Sequence, residues 1–343
     1  MPTPRDQAML VRAATLYYLE GKSQAEVAAA IGVSRSNVSR VLANARSNGI
    51  VDIRINDPFG RATGLENELI AKYSLRGCRV APSTSGGSAL TRVGALGAAW
   101  LTSHLPADGA IALSWGSSVG AVVDEMDEDA RHGTLEILPL VGGISSVNEE
   151  RDGNVLVRSL AMKLGAQHRP LHAPAFVETA EARRALLGEP SISGVLDAAS
   201  KATIAIVGIG NVGAGASSAI VDSMKLDAKE LRTFAESGAV GDCCTRYFDA
   251  EGVAVDSAVN ERVIAIDLPK LRNISTVVGV AAGAFKAAGV HGALVGELFD
   301  VLIVDSELAR ALLDFRQPTR TRITSHFGPT LPRKGAEVDS DRR

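Results

Sequence analysis

The chain has 343 residues, enough for a small module beside a large one, and its 22% charged and 46% hydrophobic content excludes a wholly disordered protein. Aromatic residues make up only 4%, so the core has to be aliphatic, and 34 glycines suit a fold with many tight strand-to-helix turns. The net charge of −3 is unevenly spread: residues 1–56 hold seven Lys/Arg against four Asp/Glu and the remainder holds 29 against 35, so only the head suits a polyanion.

In chain order, a first helix is predicted over 6–20 from Leu10, Val11, Ala14, Leu16, Tyr17 and Tyr18, with Gly21 as its stop. A second starts after Ser23, where Glu26 completes a capping box, turns Val27, Ala28 and Ile31 inward and ends at Gly32. A third starts after Ser34, carries Val38, Val41, Leu42 and Ala45 at i, i+3, i+4, i+7 and closes at Asn48-Gly49. Residues 50–55 alternate like a short strand. The turn-rich run 56–60 marks a domain boundary, giving units over 1–56 and 57–343, with a linking helix over 63–73.

Beyond it, strands are predicted over 77–81, 110–114, 135–141, 202–208, 263–267, 276–280 and 300–304. Helices are predicted over 88–104, 118–128, 153–164, 179–186, 192–200, 228–236, 282–294 and 306–314. This alternation implies an α/β domain with a largely parallel sheet covered on both faces. The polar tail from Pro329, which includes 330–343, is expected to be disordered.

Two short helices joined by Gly32-Val33-Ser34 have the form of a helix-turn-helix, with the second helix placed to enter a major groove. On it Ser34, Arg35, Ser36, Asn37, Ser39 and Arg40 lie off the apolar stripe and are residue types that reach base edges and phosphates. Gln24, at the start of the preceding helix, is placed for a phosphate. A plain helical bundle is the alternative, but both caps, the apolar register, the outward polar set and the local charge agree on DNA.

Three stretches of the body carry candidate ligand chemistry. At 110–119 an apolar strand leads into Trp115-Gly116-Ser117-Ser118; Gly116 allows close backbone approach, and the helix start with two hydroxyls can hold a phosphate, or simply be a capped turn. Asp242 follows a glycine turn and can accept sugar hydroxyls or stabilise the turn. Lys286, amid Ala and Gly, either extends to water or points to the sheet's carboxyl edge, where open α/β folds bind ligands. Gly208-Ile-Gly210-Asn-Val-Gly213 has the spacing of a dinucleotide turn, but no clean helix and acid-ended second strand follow, and no cofactor is expected. No metal is expected either: the six histidines lack ligand spacing, Pro170 separates His168 from His172, and Cys78, Cys243 and Cys244 form no C-x-x-C. The odd cysteine count points to a reducing compartment, and charges interrupt every candidate leader or 18-residue apolar run, so a cytoplasmic protein without a membrane span is expected.

The stretches Tyr17–Ala28, Gly32–Leu42 and Gly49–Val51 resemble the head of the SorC/DeoR-type sugar-binding transcriptional regulators. The resemblance continues through Trp115–Ser118, Pro139–Gly143, Ile206–Gly210, Gly238–Asp242, Gly279–Lys286 and Leu302–Glu307, covering nearly the whole chain. It implies a winged-helix-like head and a Rossmann-like effector domain related to glucosamine-6-phosphate deaminases, ribose-5-phosphate isomerases and CoA transferases. It also implies that Gly116, Ser117 and Ser118 form a phosphate-binding turn, although the family often has threonines there, and that Gly142, Asn154, Asp242 and Lys286 contact the ligand.

Three functions compete. A metabolic enzyme acting on sugar phosphates could use Asp242 and Lys286 as acid and base, yet has no need of the head, and no paired His or Glu motif stands beside Asp242. A dinucleotide-dependent regulator rests on the glycine turn alone. The favoured expectation is a non-enzymatic regulator, a homodimer or homotetramer, whose affinity for operator DNA is set by a carbohydrate effector, phosphorylated by the resemblance.

Overall fold

The computed structural model describes residues 4–51, 61–83, 87–144, 151–213 and 215–316. Contacts within the chain cluster into two compact units, Met1–Pro58 and Phe59–Arg343.

In the head, α1 (Pro4–Ala14) does not run on regularly to residue 20: Thr15–Leu19 is a π-helical turn in which Glu20 N–H reaches back to Thr15 O at 3.0 Å. Helix α2 (Gln24–Ile31) carries the expected capping box, with Ser23 N–H donating to Glu26 at 2.8 Å, and Gly32 ends it at φ 72°. Helix α3 (Arg35–Ser47) is capped by Ser34, whose hydroxyl accepts from Asn37 N–H. Leu10, Ala13, Val27, Val38, Val41, Leu42 and Ala45 close one small core between the three helices. Of the strand expected over 50–55, Ile50 and Val51 are described and lie in no strand; its remainder, the boundary expected over 56–60 and the tail from Pro329 lie outside the described residues.

The body opens with α4 (Thr63–Tyr73) and β1 (Gly77–Ala81), followed by α5 (Ala89–His104), β2 (Gly109–Leu113), α6 (Ser117–Asp124), β3 (Leu135–Pro139), α7 (Gly153–Leu164) and β4 (Gln167–His168). Helices α8 (Ala180–Gly188) and α9 (Pro190–Ala199) lead to β5 (Ile204–Asn211), α10 (Gly215–Ser223) and α11 (Ala228–Glu236). The hairpin β6 (Gly241–Cys243) and β7 (Arg246–Phe248) precedes the short helices α12 (Ala258–Glu261) and α13 (Leu268–Arg272). Strand β8 (Thr276–Ala281), a 3₁₀ turn (Ala284–Lys286), α14 (Ala287–Val295), β9 (Val301–Asp305) and α15 (Ser306–Leu313) complete it.

Seven strands form a parallel sheet in the order β1-β9-β8-β5-β2-β3-β4. Alternate residues feed two apolar layers: Ile111, Ile137, Ile206 and Val280 pack with α5, α6 and α7, whereas Ala112, Leu138, Val207 and Val277 pack with α4, α10, α14 and α15. Burial on both faces explains why these strands read as continuous apolar runs.

Three expectations are corrected. The run 263–267 is not a sheet strand: Val263 and Ala265 make only isolated bridges, to Phe176 and Val141, and Pro269 then opens α13. It is a buried apolar run, and periodicity cannot distinguish that from a strand. The helix expected from 282 starts at 287, after Gly283 (φ 97°) and the 3₁₀ turn. The stretch after Gly213 does become a helix, α10, despite its glycine and serines.

The order of strand addition reverses between the parallel neighbours β2 and β5: β2 leads to β3 and β4 on one side, while β5 leads to β8 and β9 on the other. Connections diverging there leave a crevice at the carboxyl ends of the two strands.

Candidate functional site

In the head, the buried stripe Val38, Val41, Leu42 and Ala45 fixes the rotation of α3. At 100° per residue, Ser36 and Arg40 then face away from the core, and Arg35, Asn37 and Ser39 flank them. Ser34, Arg35, Ser36, Asn37, Ser39 and Arg40 are all exposed, and Gln24 is half-buried. Two hydroxyls are engaged locally, Ser34 by its cap and Ser36 by Ser34 at 3.0 Å. Helix α3 carries Arg35, Arg40 and Arg46 and no acid, so its field is positive along its length.

In the body, the crevice is a cavity of about 500 Å³, the size of a small-ligand site. The sequence-derived residues Gly116, Ser117, Ser118, Asp242 and Lys286 all line it. Gly116 (φ 103°) turns the chain from β2 into α6, and its N–H is taken by Arg151 O at 3.1 Å. The next N–H groups, at the start of α6, have no partner within the helix and carry its positive dipole end. Ser117 is exposed and Ser118 is 4% exposed at the same helix start.

Asp242 arrives from a distant stretch of chain. Strand β6 pairs antiparallel with β5, setting Asp242 beside Gly210. Its carboxylate accepts from Ser217 Oγ at 2.5 Å and from the Thr245 N–H. Burial raises its pKa above the usual carboxylate value, against the opposing effect of Ser217 and of the Lys286 charge. Lys286, in the 3₁₀ turn after β8, has its pKa lowered by burial, partly offset by Asp242. Among the described residues no carboxylate lies within salt-bridge distance of its ammonium group. The two groups face one cavity and remain separate, a polar pair able to orient an uncharged or anionic ligand.

Gly142 and Asn154 are not among the lining residues. A Cβ on Gly142 would stand 2.3 Å from Pro174 O, so this glycine permits a close crossing of backbones. Asn154 is occupied at both ends of its amide by Leu171, donating to the carbonyl oxygen at 3.2 Å and accepting from the N–H at 2.8 Å. Both serve the scaffold of the β3–α7 region instead of the cavity.

Several lining residues escaped the sequence reading. Ser217 holds Asp242, and Tyr247 OH in turn donates to Ser217 O at 2.7 Å. Gly210 makes room for the pair: a Cβ there would lie 1.9 Å from Asp242 Oδ1 and 2.0 Å from Ser217 Oγ. At Gly210 the glycine turn therefore makes space for a carboxylate. The hairpin tip Cys244-Thr245 also reaches the site. Both residues are left-handed, at φ 53° and 63°, an arrangement that Asn-Gly normally supplies. Burial and the hydrogen bond from Trp115 Nε1 to Thr245 Oγ1, at 3.2 Å, hold this strained turn.

Among the described residues no group of three or more His, Cys, Asp or Glu could hold a metal, and no helix is long and apolar enough to cross a membrane. A helix-turn-helix with an acid-free outer helix and a body with a ligand-sized crevice at the sheet's switch point define the class: a ligand-binding regulator of DNA.

Comparison with known proteins gives the family. Residues 57–314 match the Sugar-bind family model, a sugar-binding domain. The deoxyribonucleoside regulator of Bacillus subtilis is 30% identical over 90% of this chain and 98% of its own length. The sorbitol operon regulator of Klebsiella pneumoniae is 30% identical over 91% of this chain and 100% of its own. The crystal structure of that full-length regulator, SorC, superposes with a TM-score of 0.68 at 27% identity, covering 90% of this chain and 99% of the other. The chain belongs to the SorC- and DeoR-type transcriptional regulators with a sugar-binding domain.

Proposed function

We propose that the body binds a phosphorylated sugar or polyol and that its binding alters the affinity of α3 for operator DNA. One observation carries the reading: a helix amino terminus with two serines, an ammonium group and a buried carboxylate face a single crevice of about 500 Å³. The α6 N–H groups with Ser117 and Ser118 supply phosphate ligands, Lys286 adds charge, and Asp242 accepts hydroxyl hydrogen bonds. Gln24, Ser34, Arg35, Ser36, Asn37, Ser39 and Arg40 form the DNA-facing set.

The relatives named above regulate transcription, and the cavity's polar groups suffice to bind and orient, so the protein acts without turning its ligand over. The protein works as a homodimer or homotetramer, since one helix-turn-helix reads a single half-site, and the units over 1–56 and 57–343 divide DNA binding from ligand binding and assembly.

The test is calorimetry against a panel of pentose, hexose and hexitol phosphates and their unphosphorylated forms, followed by product analysis of the best binder. Phosphorylated members bind selectively, and Lys286→Ala weakens them about ten- to a hundredfold, the usual effect of losing one charged contact. Binding of unphosphorylated polyols alone, unaffected by replacing Ser117 and Ser118 with alanine, overturns the phosphate site. Rapid consumption of the best binder makes the protein an enzyme.

A further inference from the structure

Helix α4 is the first helix of the body, and the chain from the head enters the body through it. Its two ends are fastened to different parts of the domain. At the first turn, Ala62 N–H donates to Val80 O at 3.0 Å, and the buried Glu66 accepts from Val80 N–H at 2.9 Å; this end is fixed to strand β1. At the last turn, Lys72 Nζ donates to Leu312 O and Leu313 O, each at 2.8 Å, at the carboxyl end of α15. Tyr73 OH donates to Leu312 O at 3.1 Å and meets His291 Nδ1, on α14, at 2.9 Å.

Both of those helices begin at the rim of the cavity. Helix α14 follows directly on Lys286. Helix α15 is capped by the buried Asp305, whose Oδ1 accepts from the Glu307 and Leu308 N–H groups while Oδ2 takes the Gly283 N–H at 2.5 Å. Gly283 and Lys286 both line the cavity. Two helices rooted on one four-residue turn therefore converge on two adjacent residues of α4. Helix α15 meets α4 with its carboxyl end and α14 meets it through His291, in its second turn; both are stiff along the axis, so a shift at the root is carried to these contacts.

The Tyr73 contact also has two satisfied arrangements. Its single hydroxyl proton goes either to Leu312 O, with His291 protonated on Nδ1, or to His291, with Leu312 O kept by Lys72. Burial and the Lys72 charge lower the His291 pKa, and burial raises that of Tyr73 to about 12, so both arrangements join neutral groups.

We propose that the Lys72–Tyr73 end of α4 receives the signal of the effector cavity: movement of the Gly283–Lys286 turn on ligand binding reaches it through α14 and α15, and α4, moving as one rod, carries it to its amino end, where the chain from the head joins. This rests on the effector reading of the cavity. It requires a coupling between the two ligands that can be lost while both binding sites survive.

The test uses the full chain, the panel sugar phosphate with the largest thermal shift, and a DNA duplex selected by the wild-type protein from a random library. Calorimetry gives the sugar-phosphate affinity; anisotropy gives the DNA affinity with and without saturating sugar phosphate. Tyr73→Phe removes the hydroxyl and keeps the ring. It is expected to hold sugar-phosphate affinity within about twofold, while the ratio of the two DNA affinities moves toward one by about three- to tenfold, as loss of one or two hydrogen bonds allows. Should Tyr73→Phe not melt cooperatively, Lys72→Met, which removes the contacts to Leu312 O and Leu313 O, is expected to give the same split. An unchanged ratio in a folded variant beside a responsive wild type overturns the relay alone. If no panel member alters wild-type DNA affinity, the effector reading fails and the relay falls with it.

Discussion

Asp242 concentrates the energetic tension of the body. It is 4% exposed, and its raised pKa means that the folded state favours its protonated form. Such a group contributes stability that is present below the unfolded pKa and lost as pH rises through the folded one. Asp242→Asn keeps an acceptor for Ser217 and does not ionise. The variant's melting temperature is therefore expected to exceed that of wild type by a margin that grows as pH rises above the ordinary carboxylate range, while sugar-phosphate affinity falls; a margin that shrinks with rising pH sinks this account of the site. Gly210→Ala gives a contrasting outcome. Its methyl group would occupy the space of the Asp242–Ser217 hydrogen bond, so the expected cost is about 1–3 kcal/mol of stability, read by denaturant unfolding, together with loss of ligand binding. Asp242, Lys286 and the serine turn were legible in the sequence because each is a polar residue beside glycines, in a stretch that resembles the family. Ser217 was not, because its function depends on a carboxylate 25 residues further along the chain.

Elements differ in how clearly their residues announce them. Helices α2 and α3 were legible to within a residue because caps, apolar spacing and glycine stops are local signals. With the rotation of α3 fixed by Val38, Val41, Leu42 and Ala45, Arg40 stands at the centre of its outer face. Arg40→Ala is expected to weaken binding to the selected duplex by about 1–3 kcal/mol without moving the melting curve or sugar-phosphate affinity. Unaltered DNA binding would remove α3 from the interface. The hairpin β6–β7 was illegible: its strands are three residues each, and its turn is Cys244-Thr245, with none of the Gly, Asn or Asp that marks such turns. Burial and Trp115, supplied by the rest of the body, hold that turn. The run 263–267 failed in the opposite sense, its local pattern being that of a strand while its neighbours offer only single bridges.

At the scale of the molecule, the two-unit division leads to a fragment experiment. A chain beginning near residue 57 retains every described residue that lines the cavity and the whole parallel sheet. It is expected to fold, to be at least dimeric by light scattering, and to bind the panel sugar phosphate as the full chain does; a monomeric or unfolded fragment contradicts the assignment of assembly to the body. The sequence by itself determined the helix-turn-helix, the α/β class of the body and most of its strands, because hydrophobic period, caps and turn glycines act over a few residues. It also marked Gly116, Ser117, Ser118, Asp242 and Lys286 as candidate ligand contacts. Only the tertiary structure decided that these five share one crevice, that Gly142 and Asn154 stand outside it, and that Gly210 and Ser217 shape the setting of Asp242. Strand order is the physical reason: the reversal between β2 and β5 and the antiparallel addition of β6 are long-range pairings, and no local pattern specifies which strand lies beside which.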